Sequence, residues 1–270
     1  MATRLVDVGS GIRLFVQDLG AGPVVVLVGG FGMCHRLWDR QVRVLADAGY
    51  RVLCVDQRGH GSSDKPLRGY GIDDLGRDLE RVLEVMEIRE ATVVGHSFGG
   101  QVAFWLSARS SRVSRLVLVG SNGVRASRSE HFPFGLAPDE MLPALVEAEK
   151  GDRLTSRRAS IVGSFARRPD DLTVEWLMGA SLEMPSWTAL ACYETMLRCD
   201  LLGDIEAITV PVLQVIGGRD PVHSARGAGW LTERLADASL VRLEDCGHFP
   251  MLEAPDAFDE ALVGFLASSR

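Results

Sequence analysis

Residues 91–100 read Ala91-Thr92-Val93-Val94-Gly95-His96-Ser97-Phe98-Gly99-Gly100, an apolar run that leads into a serine between glycines. The run predicts a buried strand, and the pattern at Gln101–Ala108 predicts a helix directly after it. The glycines permit the tight strand-to-helix turn of a Gly-x-Ser-x-Gly motif. A serine hydroxyl is a weak nucleophile unless it is exposed beside a base. This turn provides the exposure, at the positive end of a helix, so Ser97 is the candidate nucleophile.

Short apolar runs on both sides of this segment alternate with helical patterns. Runs of this kind are typical of strands that are buried on both faces of a parallel sheet. The predicted strands are Arg13–Asp18, Val24–Val28, Arg51–Val55, Ala91–Gly95, Leu116–Val119, Val210–Ile216 and Leu240–Leu243. The predicted helices are Leu37–Ala48, Ile72–Met86, Gln101–Ala108, Arg226–Leu235 and Ala257–Leu266. This order predicts an α/β protein with a doubly wound, mostly parallel sheet.

One stretch, from about Asn122 to Asp204, interrupts the alternation because it contains no strand pattern. Its helix-like patches, which prolines separate, are Pro138–Lys150, Leu154–Ala166, Asp170–Leu182 and Trp187–Leu197. We therefore divide the chain into a core of residues 1–121 and 203–270 and a helical insertion of residues 122–202. The aromatic and methionine residues of the insertion either form its own small core or line the underside of a lid.

An acid and a base follow the candidate nucleophile in the chain. The strand Val212–Ile216 leads to a turn that carries Asp220, and the strand Val241–Leu243 leads to a loop that carries His248. The carboxyl ends of parallel strands meet at one edge of a sheet, so both side chains should converge on Ser97. Ser, Asp, His is one of the known chain orders of a catalytic triad, in which a nucleophile, an acid and a base act together. His248 would then accept the Ser97 proton, and Asp220 would orient the imidazole.

Structural roles for these two residues stay open at this point. Asp220 precedes Pro221, so it is also compatible with a simple turn former. His248 is compatible with a capping or buried structural histidine. Asp245 and Asp204 are rival acids, but neither follows a strand at the required place.

The loop after the strand Val24–Val28 reads Gly29-Gly30-Phe31-Gly32. The Phe31 backbone N–H can point into the same cleft and, with the Phe98 N–H, form an oxyanion hole. Such donors contribute roughly 3–4 kcal/mol each to stabilising a tetrahedral intermediate. The glycines are also compatible with close strand-to-helix packing alone.

Composition and charge exclude several classes of protein. The chain has 270 residues, 29 Lys+Arg and 36 Asp+Glu, for a net charge of −7, and no basic cluster, so we expect no nucleic-acid partner. We expect no membrane span, since the apolar runs are short, and no secretory signal. The five cysteines are scattered, as in a reduced, cytoplasmic protein. Oligomeric state is not visible in the sequence.

No cofactor or metal is expected. The chain lacks HExxH, Cys/His clusters and acidic calcium loops. Gly30-x-Gly32 with Asp56 superficially resembles a dinucleotide fingerprint, but His35 occupies the third glycine position, which disfavours an oxidoreductase.

Over essentially its whole length, the sequence resembles the α/β-hydrolase superfamily, in its esterase and haloperoxidase-like branch. The motifs that carry the resemblance are Gly29-Gly30-Phe31-Gly32, Asp56-Gln57-Arg58-Gly59-His60-Gly61-Ser62-Ser63, Gly95-His96-Ser97-Phe98-Gly99-Gly100, Gly217-Gly218-Arg219-Asp220 and Gly247-His248-Phe249. The resemblance implies an eight-stranded sheet, a Ser97–Asp220–His248 triad, an oxyanion hole at Phe31 and Phe98, and a cap over the insertion. Many relatives carry His-Gly where this chain has Gly29-Gly30.

The resulting hypothesis is a serine hydrolase that cleaves a small to medium, apolar carboxylic ester or lactone through an acyl-enzyme. Ser97 in place of an aspartate argues against epoxide hydrolases and haloalkane dehalogenases. The alternatives are a C–C bond hydrolase, a non-acylating lyase or cyclase that uses His248 as base, and a ligand receptor on the same fold. The candidate substrate contacts are Gly30, Phe134, Met184, Trp187 and Phe249.

Overall fold

The computed structural model describes residues 2–268, and a sheet of eight strands forms its centre. The strands are β1 (Ala2–Gly9), β2 (Ile12–Leu19), β3 (Val24–Val28), β4 (Arg51–Val55), β5 (Ala91–His96), β6 (Val113–Val119), β7 (Val212–Gly217) and β8 (Ala238–Leu243). Their spatial order is β1-β2-β4-β3-β5-β6-β7-β8. β2 pairs antiparallel with β1 and β4, and the other pairs are parallel. The predicted doubly wound, mostly parallel sheet is therefore confirmed.

Helices cover the sheet and connect its strands. They are α1 (Asp39–Asp47), α2 (Ile72–Val85), α3 (Phe98–Ser107), α4 (Pro138–Gly163), α5 (Asp171–Leu182), α6 (Ser186–Arg198), α7 (Ala225–Thr232), α8 (Pro250–Glu253) and α9 (Pro255–Ala267). Short 3₁₀ helices occupy His35–Trp38 and Leu202–Ala207. None of the helices among residues 2–268 combines the length and apolar character needed to cross a membrane.

The apolar runs form strands because both faces of the sheet are covered. On β3, Val26 and Val28 pack into the apolar core beneath α2 and α3, whereas Val25 and Leu27 pack into a second core beneath α1 and α9. All four side chains are at most 2% exposed. Burying each contributes roughly 1.5–3 kcal/mol, so a run without polar alternation is favourable here.

The first strand and the start of α3 differ from the sequence-based boundaries. β1 was not predicted because it is a largely exposed hairpin strand in which only Val6 is buried. α3 begins at Phe98 rather than Gln101, although Gly99 and Gly100 have low helix propensity. A Cβ on Gly100 would lie 2.4 Å from Ser121 Oγ, so tight packing on the sheet overrides local propensity.

Three long helices, α4, α5 and α6, lie between β6 and β7, where the sequence predicted a helical insertion. The first two predicted patches belong to one helix, α4, which bends at Asp152 (φ −142°, ψ 83°). Glu149 and Arg157 form a fully buried ion pair across this bend, with Nη2 2.6 Å from Oε1. In a straight helix residues eight apart are separated by about 12 Å along the axis, so the bend is what brings this pair together.

Candidate active site

Ser97 lies at the turn between β5 and α3, with backbone angles of φ 52° and ψ −120°. Residues other than glycine rarely adopt this conformation, which is typical of strained functional turns. The Ser97 N–H donates to Val119 O at 2.9 Å and ties the turn to β6. The flanking glycines have no room for side chains. A Cβ on Gly95 would lie 2.4 Å from Gly99 O, and one on Gly99 would lie 2.5 Å from Gly29 O.

Asp220 and His248 lie together at the carboxyl ends of β7 and β8. His248 Nδ1 is 2.9 Å from Asp220 Oδ2, and both side chains are almost fully buried. Asp220 Oδ1 accepts hydrogen bonds from the backbone N–H groups of Val222 (2.8 Å) and His223 (2.9 Å). An ionised carboxylate only accepts, so the network assigns the proton to Nδ1 of His248. In the neutral ring, Nε2 then carries no proton.

The backbone of His248 is held from two sides. Its N–H donates to Ser164 O at 2.7 Å, in the segment that follows α4. Its carbonyl accepts a hydrogen bond from His96 Nε2 at 2.9 Å. The residue before Ser97 therefore contacts the loop of residues 244–249, the histidine loop, directly. These bonds fix the loop relative to both the β5–α3 turn and the insertion.

Glu253, on α8, is a contributor that the sequence analysis missed. Its Oε1 accepts from the N–H groups of Gly247 (2.9 Å) and Phe249 (3.1 Å), on either side of His248. Its Oε2 accepts from Ala166 N at 2.8 Å. One carboxylate therefore joins the histidine loop to the end of the insertion's first helix. A glutamate five residues after a histidine carries no such signal before the loop is folded.

The electrostatics of the site favour an ionised Asp220 close to two neutral, buried histidines, His96 and His223. Burial opposes ionisation of Asp220, but the charge of His248 and its hydrogen bond, with a contribution from His223, hold the pKa of the Asp220 carboxyl below its usual value. Burial, with a smaller contribution from nearby His248, lowers the pKa of His96 to about 3 and that of His223 to about 4. The His223 ring stacks on the His248 ring with centroids 5.7 Å apart.

The Gly29–Gly32 loop packs directly against the serine turn. A Cβ on Gly30 would lie 2.8 Å from Ser97 Cβ and 3.0 Å from His96 Nδ1, so only glycine fits there. Phe31 follows in the loop, and Phe98 is the first residue of α3. Within residues 2–268, neither the Phe31 nor the Phe98 backbone N–H donates a hydrogen bond. The two amides predicted to form an oxyanion hole therefore flank the serine without protein partners.

Ser97 and His248 line one cavity of about 370 Å³. No hydrogen bond joins their side chains in the part of the chain that the structure describes. The remaining walls are largely apolar and come from the Gly29–Gly32 loop and the residues after it, the insertion, the loop after β7 and the histidine loop. The apolar members include Phe31, Met33, Ala126, Met141, Leu145, Ile161, Tyr193, Met196, Leu197, Val222 and Phe249, and the polar members include Arg157, Ser160, Ser164 and Ser181. The cavity reaches the surface near Ser160, Gly163 and Val222, which are exposed.

Only some of the residues predicted to contact substrate lie at the cavity. Phe249 lines the cavity, and Gly30 lies against Ser97. Met184 is fully buried and does not line the cavity. Phe134 packs against two other aromatic rings, and Trp187 is 46% exposed, so neither belongs to the cavity wall. The sequence contained no motif for the insertion residues that do line it, because their positions depend on how α4 and α6 pack.

The rival acids lie elsewhere. Asp204 pairs with Arg109, and Asp245 pairs with Arg219, both at the surface. Neither acid contacts His248.

One group of side chains has the donor types of a metal site. Cys34, His35 and Asp56 place their ligand atoms within 4.8 Å of one another, and residues 2–268 contain no other such group. The Asp56 carboxylate already accepts hydrogen bonds from the His35 backbone (2.6 Å), the His35 ring (3.0 Å) and the Ser62 backbone (2.9 Å). These bonds account for the cluster as a support of the loop that precedes α1.

Comparison with known proteins identifies the family. Residues 23–255 match the family described as alpha/beta hydrolase fold. The chain is similar to a non-heme chloroperoxidase of Streptomyces lividans, with 30% identity covering 97% of this chain and 99% of that protein. It is also similar to 3-oxoadipate enol-lactonase 2 of Acinetobacter baylyi (26% identity, 89% and 87% coverage). The solved structure of an esterase from Exiguobacterium antarcticum aligns with a TM-score of 0.94 at 28% identity, covering 98% and 99% of the two chains.

The chain belongs to the alpha/beta-hydrolase superfamily, and its similarity is to members of the esterase and haloperoxidase type. Its homologues include esterases, enol-lactonases and haloperoxidases. The fold and the resemblance predicted from the sequence are confirmed, and these relatives support an ester hydrolase.

Proposed function

We propose that this protein is a serine hydrolase that cleaves carboxylic esters or lactones through an acyl-enzyme. The observation that carries the proposal is the strained turn at Ser97, which borders the same cavity as His248, whose ring is hydrogen-bonded to Asp220. A strained turn persists only where the surrounding structure holds it, and this one brings Ser97 to the cavity that His248 also lines, which supports a nucleophile paired with a base.

In the proposed reaction, Ser97 Oγ attacks the carbonyl carbon while its proton passes to His248 Nε2. The carbonyl oxygen becomes an oxyanion that accepts hydrogen bonds from the Phe31 and Phe98 N–H groups. The C–O bond to the alcohol then breaks, and His248 returns its proton to the departing oxygen. Water, deprotonated by the same Nε2, hydrolyses the acyl-enzyme. Throughout these steps Asp220 stays ionised and stabilises the imidazolium.

We propose that α4, α5 and α6 act as a cap that selects the substrate. Support comes from the cavity wall, to which α4 contributes Met141, Leu145 and Ile161 and α6 contributes Tyr193 and Met196. Arg157, Ser160 and Ser181 also line the cavity, but the Arg157 guanidinium is already bonded to Glu149 and to the Ser181 and Met184 carbonyl oxygens. The wall is therefore mostly apolar, and a small to medium apolar acyl group is the best match.

The test combines active-site labelling with turnover. Wild-type protein is treated with a fluorophosphonate and its intact mass is measured, and hydrolysis of p-nitrophenyl esters is followed in parallel. We expect one label per chain and steady turnover, both lost in Ser97→Ala. The control Ser107→Ala removes a buried hydroxyl that bonds Ala103 O at the far end of α3, and it should keep both.

Each alternative has its own outcome in this test. A lyase or cyclase that uses His248 without acylation would retain activity in Ser97→Ala. A ligand receptor would show ligand-dependent stabilisation without turnover. A C–C hydrolase would turn over diketones faster than esters. Any of these results would contradict the proposal.

A further inference from the structure

Tyr193 on α6 is the aromatic side chain that the insertion contributes to the cavity wall, next to the Gly29–Gly32 loop. Its ring stacks on Phe31 with centroids 4.3 Å apart and an interplanar angle of 21°. The residue is 4% exposed and lines the cavity that contains Ser97 and His248. Met196 and Leu197, beside it on α6, are also buried, whereas the exposed lining residues Ser160, Gly163 and Val222 belong to α4 and to the loop after Asp220.

The Tyr193 hydroxyl makes no hydrogen bond with any of residues 2–268. Burial raises the pKa of this phenol to about 12, with the Glu149 carboxylate adding to the effect, so the hydroxyl keeps its proton at any ordinary pH. The neighbouring cavity residues Met196 and Leu197 offer no side-chain acceptor. The hydroxyl oxygen is not one of the fully buried polar atoms that lack a partner, so it keeps accessible surface at the cavity, where a bound molecule can accept its hydrogen bond.

A second tyrosine of the chain shows the contrast. Tyr70 is similarly buried, but its hydroxyl donates to Pro66 O (2.6 Å) and accepts from Thr188 Oγ1 (2.8 Å). Tyr70 does not line the cavity. The phenol away from the cavity is therefore satisfied by the protein, and the one in the cavity is not.

We propose that Tyr193 determines specificity by donating a hydrogen bond to an oxygen on the acyl group of the substrate, separate from the scissile ester. This inference rests on the proposed function. The acyl group occupies the closed part of the cavity, since the alcohol leaves first and exits through the opening. The preferred substrates are then esters or lactones whose medium-length acyl chain carries a keto, ether or hydroxyl oxygen. A plain hydrocarbon chain leaves the phenol without a partner.

The test compares wild type with Tyr193→Phe, which retains the ring on Phe31 and removes only the donor. The substrates are p-nitrophenyl octanoate and isosteric esters in which one chain methylene at a time is replaced by an ether oxygen or a carbonyl. We use the ratio of wild-type to variant kcat/KM for each ester, because intrinsic reactivity cancels in that ratio. We expect a ratio near 1 for octanoate and on the order of 10 to 100 for at least one oxygenated chain.

A structural or general catalytic role predicts a different pattern. If Tyr193→Phe lowers kcat/KM equally for every ester, or leaves the whole panel unchanged, the inference is wrong. Tyr70→Phe is the matched control, and it should alter stability without changing the ratio among esters. Fluorophosphonate labelling separates the two proposals. An unlabelled wild-type protein would overturn the proposed function, whereas normal labelling with a flat ester panel would overturn only the role of Tyr193.

Discussion

Backbone strain at Ser97 predicts that removing the side chain in two different ways will change stability by different amounts. Ser97→Ala and Ser97→Gly both delete the hydroxyl. Only glycine relieves the conformation at φ 52° and ψ −120°, because Ala keeps the Cβ that disfavours it. The difference in unfolding free energy between the two variants therefore isolates the strain from the loss of the nucleophile.

The magnitude follows from two opposing terms. Relief of a strained φ/ψ region is worth about 1–3 kcal/mol. Glycine also makes the unfolded chain more flexible, which costs about 0.4–1 kcal/mol relative to alanine. We expect Ser97→Gly to be more stable than Ser97→Ala by about 1 kcal/mol, or about 3 °C in Tm for a chain of this size.

The measurement is urea unfolding at fixed pH, followed by tryptophan fluorescence and by far-UV circular dichroism. Coincident transitions would justify a two-state treatment. Ser160, exposed within α4, provides a control of opposite sign, because glycine in a regular helix should be less stable than alanine there by about 1 kcal/mol. If Ser97→Gly proves no more stable than Ser97→Ala, then the turn is not strained and the reasoning is refuted.

Three further predictions concern groups around the site. Gly30→Ala should lower kcat by about 10²–10³-fold, because a Cβ 2.8 Å from Ser97 Cβ must displace the loop that carries one proposed oxyanion donor. Glu253→Gln should lower kcat more than it changes KM, because an amide keeps one acceptor oxygen, so either the N–H groups around His248 or that of Ala166 would lose its acceptor. Steady-state kinetics on one ester measures the split. His223→Gln should weaken the acid sensitivity of folding. The pKa of His223 falls from 6.5 to about 4 on folding, so the unfolded state binds the proton more tightly. The free energy of unfolding of the wild type should therefore fall as the pH drops through 6.5, and at pH 5 His223 accounts for about 2 kcal/mol of that loss.

Controls and contrary results are available for each of these. Gly229→Ala places a Cβ in open space and should leave kcat unchanged, whereas a fully active Gly30→Ala would contradict the packing argument. Exposed Glu260→Gln should leave the kinetics unchanged, and an equally silent Glu253→Gln would exclude a positioning role for that carboxylate. For His223, each protein is compared with its own stability at pH 7.5. Parallel pH curves for wild type and variant would count against a buried, neutral histidine.

Patterns within short segments were sufficient for most of the fold. The β3 run and the turn around Ser97 could be read from the sequence because burial on both faces selects apolar runs and a tight turn selects glycine. Strands and helices that form because of contacts with distant parts of the chain were predicted less well. β1 has only one buried residue, and α3 begins over two glycines because of what it packs against.

The candidate site also combines residues whose positions follow from local sequence patterns with residues whose positions do not. The loop positions of Asp220 and His248 follow from the strands before them, and the structure brings these two side chains within 2.9 Å. The roles assigned to them and to Ser97 stay predictions until the labelling experiment is done. Of the substrate contacts inferred from residue type, Phe249 lines the cavity, while Trp187 lies at the surface.

The amino-acid sequence alone determined the order of the strands from β2 to β8, the helical character of the insertion and the turn that holds Ser97, because those depend on neighbours within a few residues. Only the tertiary structure decided which side chains form the cavity wall and that the Tyr193 hydroxyl lacks a partner there among residues 2–268. It also decided that Glu253 accepts hydrogen bonds from the backbone on both sides of His248. The physical reason is that these contacts join segments far apart in the chain. Their geometry depends on how the helices of the insertion pack over the sheet, and local patterning carries no information about that packing.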